Sequence, residues 1–169
     1  MNKSRWAHLI WQPLIAVMFV IVVLLFMDHF ASSDVLWAVG AGALSSSSYI
    51  VFGKPSGASA QPKNILGGYL VGIIVGFLLR IVIMHLHDLD CGFLGTAHFH
   101  LIGLIAAFSV GMSLFVMSLL KFEHPPAAGM ALVLVIDMRD YDEILLVLIA
   151  AVLLAIIRRL LSKKLVDLA

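Results

Sequence analysis

The stretch Lys121-Phe-Glu-His-Pro-Pro-Ala-Ala-Gly-Met-Ala-Leu132 lies between two very apolar segments. Two adjacent prolines cannot donate main-chain hydrogen bonds, so an α-helix cannot run through Pro125 and Pro126. Proline instead suits the first turn of a helix, where its missing N–H would have been unpaired. The apolar run 127–136 therefore predicts a new helix of about ten residues, or ~15 Å, which is about half of a hydrocarbon core. A short helix between long spans is typical of a discontinuous membrane segment, and such segments tend to form binding sites.

The composition indicates an integral membrane protein. The 169 residues are 62% hydrophobic and 12% charged, with a mean hydropathy of +1.09, whereas soluble domains carry roughly 25% charged residues. We therefore expect an all-α fold, a polytopic transmembrane helix bundle in which residues 1–169 form a single domain in the lipid bilayer. A net charge of +1 gives no reason to expect a nucleic-acid partner. The single cysteine, Cys91, excludes an internal disulfide and a multi-cysteine metal cluster.

Six apolar stretches predict the helices of this bundle. They are 11–27, 35–52, 65–86, 99–120, 127–138 and 144–161. The third, fourth and sixth are long enough to cross a bilayer unaided. The first is slightly short, the second is interrupted by serines, and the fifth is too short.

The basic residues support six crossings. With that count, nine of the eleven lie on one side of the membrane: Lys3, Arg5, Lys54, Lys63, Lys121, Arg158, Arg159, Lys163 and Lys164. This asymmetry favours cytoplasmic N and C termini, in what we expect to be a prokaryotic inner membrane. The alternative is a four-crossing bundle in which the second and fifth segments are re-entrant.

The two halves of the chain, 10–86 and 98–161, follow the same plan. Each has a plain span, a segment that opens on small residues (Gly40-Ala-Gly-Ala43 or Ala127-Ala-Gly129) and a third span. Three crossings per half place the halves in opposite orientations, which predicts an inverted repeat of three plus three.

Glycines recur along one side of the third span at Gly67, Gly68, Gly72 and Gly76. This spacing predicts that another helix approaches closely on that side. The alternative is that a flat glycine face borders a permeation path.

Four consecutive serines, Ser45, Ser46, Ser47 and Ser48, interrupt the second span. Serine hydroxyls can bond back to the preceding turn, but four in a row point to all sides of a helix, and some must face protein or water. The pattern leaves open whether they pack between helices or line a polar pathway.

Two ionisable residues are candidates for binding a small anion. His124 precedes the proline break, where the N–H groups and the dipole of the next helix favour an anion; alternatively it is a structural histidine bonded to a carbonyl. Arg80 lies within the third span, where it either snorkels outward or gives a path its anion preference. The small residues Ala127 and Gly129 would let other helices or the ion come close.

Four further histidines, His85, His87, His98 and His100, flank an acidic link between the third and fourth spans. Their His-x-His pairs are compatible with a haem or metal site. The spacing matches no strong metal motif, however, and we expect no cofactor. Their role stays open.

The chain resembles the HPP family of small integral membrane proteins, named for the tripeptide seen here as His124-Pro125-Pro126. Its first block is matched by Gly42-Ala-Leu-Ser-Ser-Ser-Ser-Tyr-Ile-Val-Phe-Gly53, Pro55-Ser56, Ala60-Gln61-Pro62-Lys-Asn64 and Gly67-Gly68, and its second by His124-Pro-Pro-Ala-Ala-Gly-Met-Ala-Leu132. The resemblance covers about residues 10–160.

This resemblance implies a transport protein or channel for a small inorganic anion, because the family has been associated with nitrite transport. Pro125, Pro126, Gln61 and Asn64 are then expected to line the path. We expect no enzyme activity, since the chain shows no interpretable nucleophile–base pair. The alternatives are a haem or metal redox protein built on the histidines and a structural membrane subunit that transports nothing. The sequence leaves open whether the bundle forms a homo-oligomer.

The topology can be tested with single cysteines in a Cys91→Ser background. Cysteine at Ser33 should react with an impermeant thiol reagent from outside the cell, and cysteine at Ser59 should react only from inside, because the basic links are cytoplasmic. Labelling of Ser59→Cys from outside would contradict six crossings.

Overall fold

The structure is a computed structural model that describes residues 3–30, 34–89, 95–137 and 141–168, with side chains for 6–29, 37–85, 101–137 and 144–168. Within those residues the chain is helical and contains no strands. The α-helices are α1 (Lys3–Phe30), α2 (Asp34–Gly53), α3 (Pro62–Leu89), α4 (Gly95–Leu120), α5 (Ala128–Ile136) and α6 (Tyr141–Leu160). Two 3-10 turns, Ala58–Ala60 and Pro125–Ala127, precede α3 and α5. The all-α bundle with six helical segments is therefore confirmed, and the predicted end of the fifth stretch at Met138 lies outside the described residues.

The helix lengths agree with a membrane-spanning bundle. Three helices contain stretches long and apolar enough to cross, Trp6–His29, Pro62–His85 and Leu101–Leu120. α2 and α6 have 20 residues each, or ~30 Å of helix. Because α2 is continuous through the serines, the structure gives no support to a re-entrant second segment. α5 has 9 residues and is too short to cross alone, as predicted.

α5 forms the centre of the bundle. It packs against α3, α4 and α2, and its residues Met130, Ala131, Val133 and Leu134 are fully buried. A helix that is apolar on every side can only be stable when it is surrounded. The outer helices instead expose large apolar side chains, which suit contact with lipid: Leu25, Leu70, Leu104, Phe115 and Leu153 are examples.

The glycine face of α3 lies against the break and α5. A Cβ atom on Gly68 would come within 2.6 Å of the His124 Cβ, and one on Gly76 within 2.8 Å of the Ala131 Cα. On Gly72 it would overlap the Ala127 carbonyl. The predicted close approach is thus confirmed, and main chain fills the face where the alternative placed a path.

α5 runs parallel to α3. Along α3, Gly72 lies beside Ala127, Gly76 beside Ala131 and, one turn further, Arg80 donates to the Val135 carbonyl at 3.0 Å. The contacts therefore advance in the same direction on both helices, as six alternating crossings require for the third and fifth segments.

The break begins before the prolines. Lys121 adopts a left-handed conformation with φ of 56°, its N–H donates to the Ser118 carbonyl at 3.3 Å, and the next N–H, of Phe122, donates to the Met117 carbonyl at 2.9 Å. This is the pair of hydrogen bonds that closes a helix in a Schellman motif, where the left-handed residue is usually glycine. The helix therefore closes before it reaches Pro125 and Pro126, at the end that the fourth apolar stretch predicts. α4 has already ended at Leu120, and the prolines open the 3-10 turn that leads into α5.

The helix packing follows the plan of an inverted repeat. The main packed pairs are α1–α2 and α4–α5, α2–α6 and α3–α5, α1–α6 and α3–α4, together with α2–α5 and α3–α6. Exchanging α1 with α4, α2 with α5 and α3 with α6 reproduces the same set of packed pairs. The repeat of 10–86 and 98–161 stays a prediction, and this pattern is the one it requires.

The C-terminal tail is fixed to the end of the bundle where α1 begins. The fully buried Gln12 amide donates to the Val166 carbonyl at 2.9 Å and accepts from the Val166 N–H at 3.1 Å. The Leu168 N–H donates to the Gly53 carbonyl at 2.9 Å. Ser56 donates from its N–H and its hydroxyl to the Asp167 carboxylate, and these hydrogen bonds lower the pKa of that exposed carboxyl. Both termini thus approach the same end of the bundle.

Gly72→Ala should destabilise the protein in detergent, because the added methyl group would overlap the Ala127 main chain. We expect a loss of about 1–3 kcal/mol, typical of overpacking, measured as a lower thermal midpoint. The matched control is Gly103→Ala in α4, where a Cβ meets nothing within 4 Å. This substitution should raise the thermal midpoint slightly, because alanine favours the helix over glycine. Equal effects of the two substitutions would contradict the close approach.

Lys121→Gly should stabilise the end of α4, because glycine adopts the left-handed conformation without the roughly 1 kcal/mol penalty of a residue with a Cβ.

Replacing Pro125 and Pro126 by alanine should leave the helix end at Leu120. Spin labels placed on either side of the break would report its geometry. A continuous helix in the double alanine variant would show that the prolines, not Lys121, end α4.

Candidate functional site

Three polar side chains meet inside the bundle at the start of the short helix. The Ser47 Oγ of α2 lies 2.8 Å from the His124 Nε2 and 2.9 Å from the Tyr69 Oη of α3. The His124 Nδ1 lies 2.8 Å from the Ser59 carbonyl oxygen, in the link between α2 and α3. Ser47, Tyr69 and His124 are all fully buried. We call these three residues the polar cluster.

The surroundings of His124 determine its tautomer. The Ser59 carbonyl can only accept, so Nδ1 carries the proton, and in the neutral ring Nε2 is an acceptor. Ser47 can donate to Nε2, while its Oγ also lies 2.8 Å from the Ala43 carbonyl one turn back. Since Ser47 has a single hydroxyl proton, it serves one of these acceptors at a time, and the Tyr69 hydroxyl can donate to Ser47. The cluster therefore pairs every polar atom that it buries.

His124 lies in the link between α4 and the 3-10 turn, and burial lowers the pKa of its imidazole, while the hydrogen bond to Ser59 acts in the opposite direction with a smaller effect. An ordinary histidine titrates near 6.5. A change in activity that depends on His124 protonation should therefore occur at a lower pH than an unperturbed imidazole would give.

The four serines have different roles. Ser46 bonds back to Gly42 and Ala43, and Ser48 to Ser45, both within α2. The Ser47 hydroxyl bonds to other segments of the protein, and Ser47 is the member of the run that reaches the polar cluster. Ser45 is half-buried, and Ser46 is exposed. The structure thus divides the run between local helix bonds and a single inter-segment contact.

The remaining residues predicted around the break lie at its edges. Pro125 is exposed, Pro126 and Gly129 are half-buried, and Ala127 is buried against α3. In the first block, the Asn64 side chain donates to the Ala58 carbonyl at 2.8 Å, and its Oδ1 is buried without a partner. Gln61 is half-buried, and its carbonyl accepts the Asn64 and Ile65 N–H groups at the start of α3.

Arg80 lies at the opposite end of α5 from the polar cluster. Its Nη1 donates to the Val135 carbonyl in the last turn of α5, where main-chain carbonyls lack partners within the helix and a cation complements the dipole. The half-buried side chain is therefore held inward, not extended to the membrane surface. The structure does not bring Arg80 and His124 together.

Tyr69 and Arg158 are buried polar residues that were not predicted as site residues. Tyr69 follows the glycine pair near the beginning of α3, and a hydroxyl within an apolar span was a signal for it. Arg158 is 8% exposed, donates from Nη2 to the Pro55 carbonyl at 2.8 Å, and has a buried Nε without a partner. In the sequence it belongs to a run of basic residues at the chain end, so nothing distinguished it from Arg159.

The histidine-rich link is only partly described. The exposed His85 has its Nδ1 2.9 Å from the Ile81 carbonyl one turn back, and the side chains of His87, His98 and His100 lie outside the described residues. Among the side chains that the structure describes, no group of three or more His, Cys, Asp or Glu could hold a metal ion. The metal or haem hypothesis at this link stays untested.

An apolar cleft of about 440 Å³ lies between α1 and α6 and is lined by aliphatic side chains and Phe26, including Val22, Leu146 and Leu153. Such a surface suits an acyl chain or another helix and offers no partner to an inorganic ion. The polar cluster instead lies in close contacts between α2, α3 and the segment before α5.

A sequence profile of the family described as HPP, transmembrane region, matches residues 1–166. A curated transmembrane protein of Dictyostelium discoideum is 26% identical over 120 residues, which cover 71% of this chain and 38% of that protein. A second one from the same organism is 26% identical over 99 residues, 57% of this chain and 27% of that protein. The chain thus corresponds to well under half the length of these relatives. No solved structure matches it.

Proposed function

The chain belongs to the HPP transmembrane family, and we propose that it is a membrane transport protein for a small inorganic anion such as nitrite. The observation that carries this proposal is the polar cluster: Ser47, Tyr69 and His124 meet at the N-terminal end of a discontinuous helix inside the bundle. We further propose that it works in a prokaryotic inner membrane with both termini in the cytoplasm, because the basic links lie on that side in a six-crossing chain.

The chemistry of the cluster favours an anion as its ligand. Hydroxyl groups of Ser47 and Tyr69 can turn their protons toward a ligand, and the N-terminal end of a helix presents N–H groups and a positive dipole. The dipole contributes about 0.3–1 kcal/mol when exposed and up to ~2 when partly buried. Weak and reversible binding of this kind is what transport requires.

The charges near the path have the sign that an anion needs. Arg80 is half-buried within α3, and the hydrogen bond that it makes is to a neutral carbonyl. An intramembrane cation in that position would raise the local concentration of anions and exclude cations.

The inverted-repeat plan supports transport over a purely structural role. Transporters built from opposed repeats place discontinuous helices at the interface between the halves, and α2 and α5 occupy that place in the packing here. A structural subunit would need no broken helix and no buried hydroxyl cluster, since apolar packing alone would hold it together.

Purified protein in proteoliposomes should transport nitrite, with nitrate, formate and chloride as comparison ions. Arg80→Gln should reduce the flux several-fold without unfolding the protein, and Arg80→Lys should restore part of it, because the charge matters more than the fork geometry for a monovalent ion. The matched control is Lys63→Gln, an exposed cation on the same helix, which should leave the flux unchanged. Absence of flux of all four anions in the wild-type protein would overturn the proposal.

A further inference from the structure

We propose that Arg158 forms a second oxyanion-binding site, at the end of the bundle that carries the C-terminal tail. The ligand is a small oxyanion, either the free ion or the phosphate of an anionic lipid. A role of this site in transport rests on the proposed function. Binding of an oxyanion to Arg158 can be tested independently of transport.

The state of the Arg158 side chain calls for a ligand. Only 8% of the residue is exposed, its Nη2 donates to the Pro55 carbonyl, and its Nε is buried and has no hydrogen-bond partner. A buried charge is normally paired, and a buried donor without a partner in a native protein needs an explanation, one of which is a bound ion. Here the hydrogen-bond partner of the cation is a neutral carbonyl.

The adjacent Arg159 shows that this environment is specific to one position. Arg159 has the same charge and the same place in the sequence pattern, but it is exposed to solvent. Burial of Arg158 therefore does not follow from the basic run at the chain end. The fold selects one arginine of the pair and turns it toward the loop after α2.

The repeat relates Arg158 to Arg80. Arg80 is the nineteenth residue of α3, and Arg158 is the eighteenth of α6. Each donates to a carbonyl at the far end of the middle helix of the other half: Val135 in the last turn of α5, and Pro55 just beyond α2. The α3–α5 and α2–α6 contacts are also equivalent under the exchange of halves. The two arginines thus hold corresponding places.

These two places lie at opposite ends of the bundle. Pro55 precedes α3 by a short link, so Arg158 lies near the beginning of α3, whereas Arg80 lies in its second half. A transported anion entering at one end and leaving at the other would meet one guanidinium near each mouth. The polar cluster lies on the Arg158 side, because the Ser59 carbonyl that holds His124 belongs to the same link as Pro55.

The geometry of a guanidinium suits an oxyanion. Its five N–H donors form a planar fork, and two N–H groups on the Nε edge can donate to two oxygens of one ligand in a bidentate arrangement. An oxyanion on this edge would pair the orphan Nε–H and supply the negative charge that the buried cation lacks. Chloride is a single atom and has no pair of oxygens to match the two N–H groups, so oxyanions should bind in preference to chloride.

The test compares Arg158→Gln with Arg159→Gln as the matched control, with Arg158→Lys as a milder variant in case the glutamine variant does not fold. In detergent, nitrite should raise the thermal midpoint of the wild type and of Arg159→Gln, and chloride at the same concentration should raise it less. Arg158→Gln should lose the nitrite effect, and Arg158→Lys should keep the charge but lose the preference for oxyanions. Equal nitrite stabilisation in all variants would overturn the site.

Transport and lipid measurements then assign the ligand. In proteoliposomes, Arg158→Gln should raise the KM for nitrite about tenfold, as expected for one lost charge-assisted hydrogen bond, while Arg159→Gln leaves it unchanged. Phosphatidylglycerol that stays bound to the wild type in native mass spectrometry and is lost only in the Arg158 variants would identify the lipid phosphate as the ligand. A wild type without flux that still shows the Arg158-dependent stabilisation would overturn the transport proposal and leave the binding site standing. The proposed Arg158 site would be refuted if the Arg158 variants showed the same stabilisation by nitrite, the same KM and the same absence of bound lipid as the wild type.

Discussion

The structure depends on satisfying the main-chain groups at the two ends of α5. A helix of 9 residues inside an apolar bundle exposes unpaired N–H groups at its start and unpaired carbonyls at its end, and in a dry interior each unpaired group is costly. At the end of α5 the Arg80 guanidinium supplies a donor to Val135. At its start the chain enters through prolines, which remove two of the N–H groups that would need partners. The neighbouring helices are arranged around these two ends.

Close approach of α3 is the second consequence of that constraint. Glycine allows the Ala127 and Ala131 main chain to lie against α3 with no Cβ between them, which packs a short helix as tightly as a long one would pack through side chains. The same approach brings Tyr69 beside His124, with ring centroids 5.6 Å apart. The polar cluster is therefore a product of the packing that stabilises the break, and the residues that we propose for anion binding are the ones that this packing brings together.

Several polar contacts converge on the link between α2 and α3. His124 and Arg158 both bind carbonyls of the link 54–61, and the C-terminal tail binds the same link through Asp167. The link is thus tied to α5, to α6 and to the tail at once.

The sequence by itself determined the class of the protein, the number of helices and their approximate bounds, because hydropathy over about twenty residues reflects the thickness of the bilayer directly. The glycine spacing determined that α3 is closely packed, and Pro125-Pro126 identified a short fifth helix. Only the tertiary structure decided why α4 ends, since the left-handed Lys121 carries no sequence signal. It also decided which serine faces inward, which of two adjacent arginines is buried, and that Tyr69 belongs with His124. These are contacts between residues far apart in the chain, and no local pattern specifies which partner a buried polar group will meet once the helices pack.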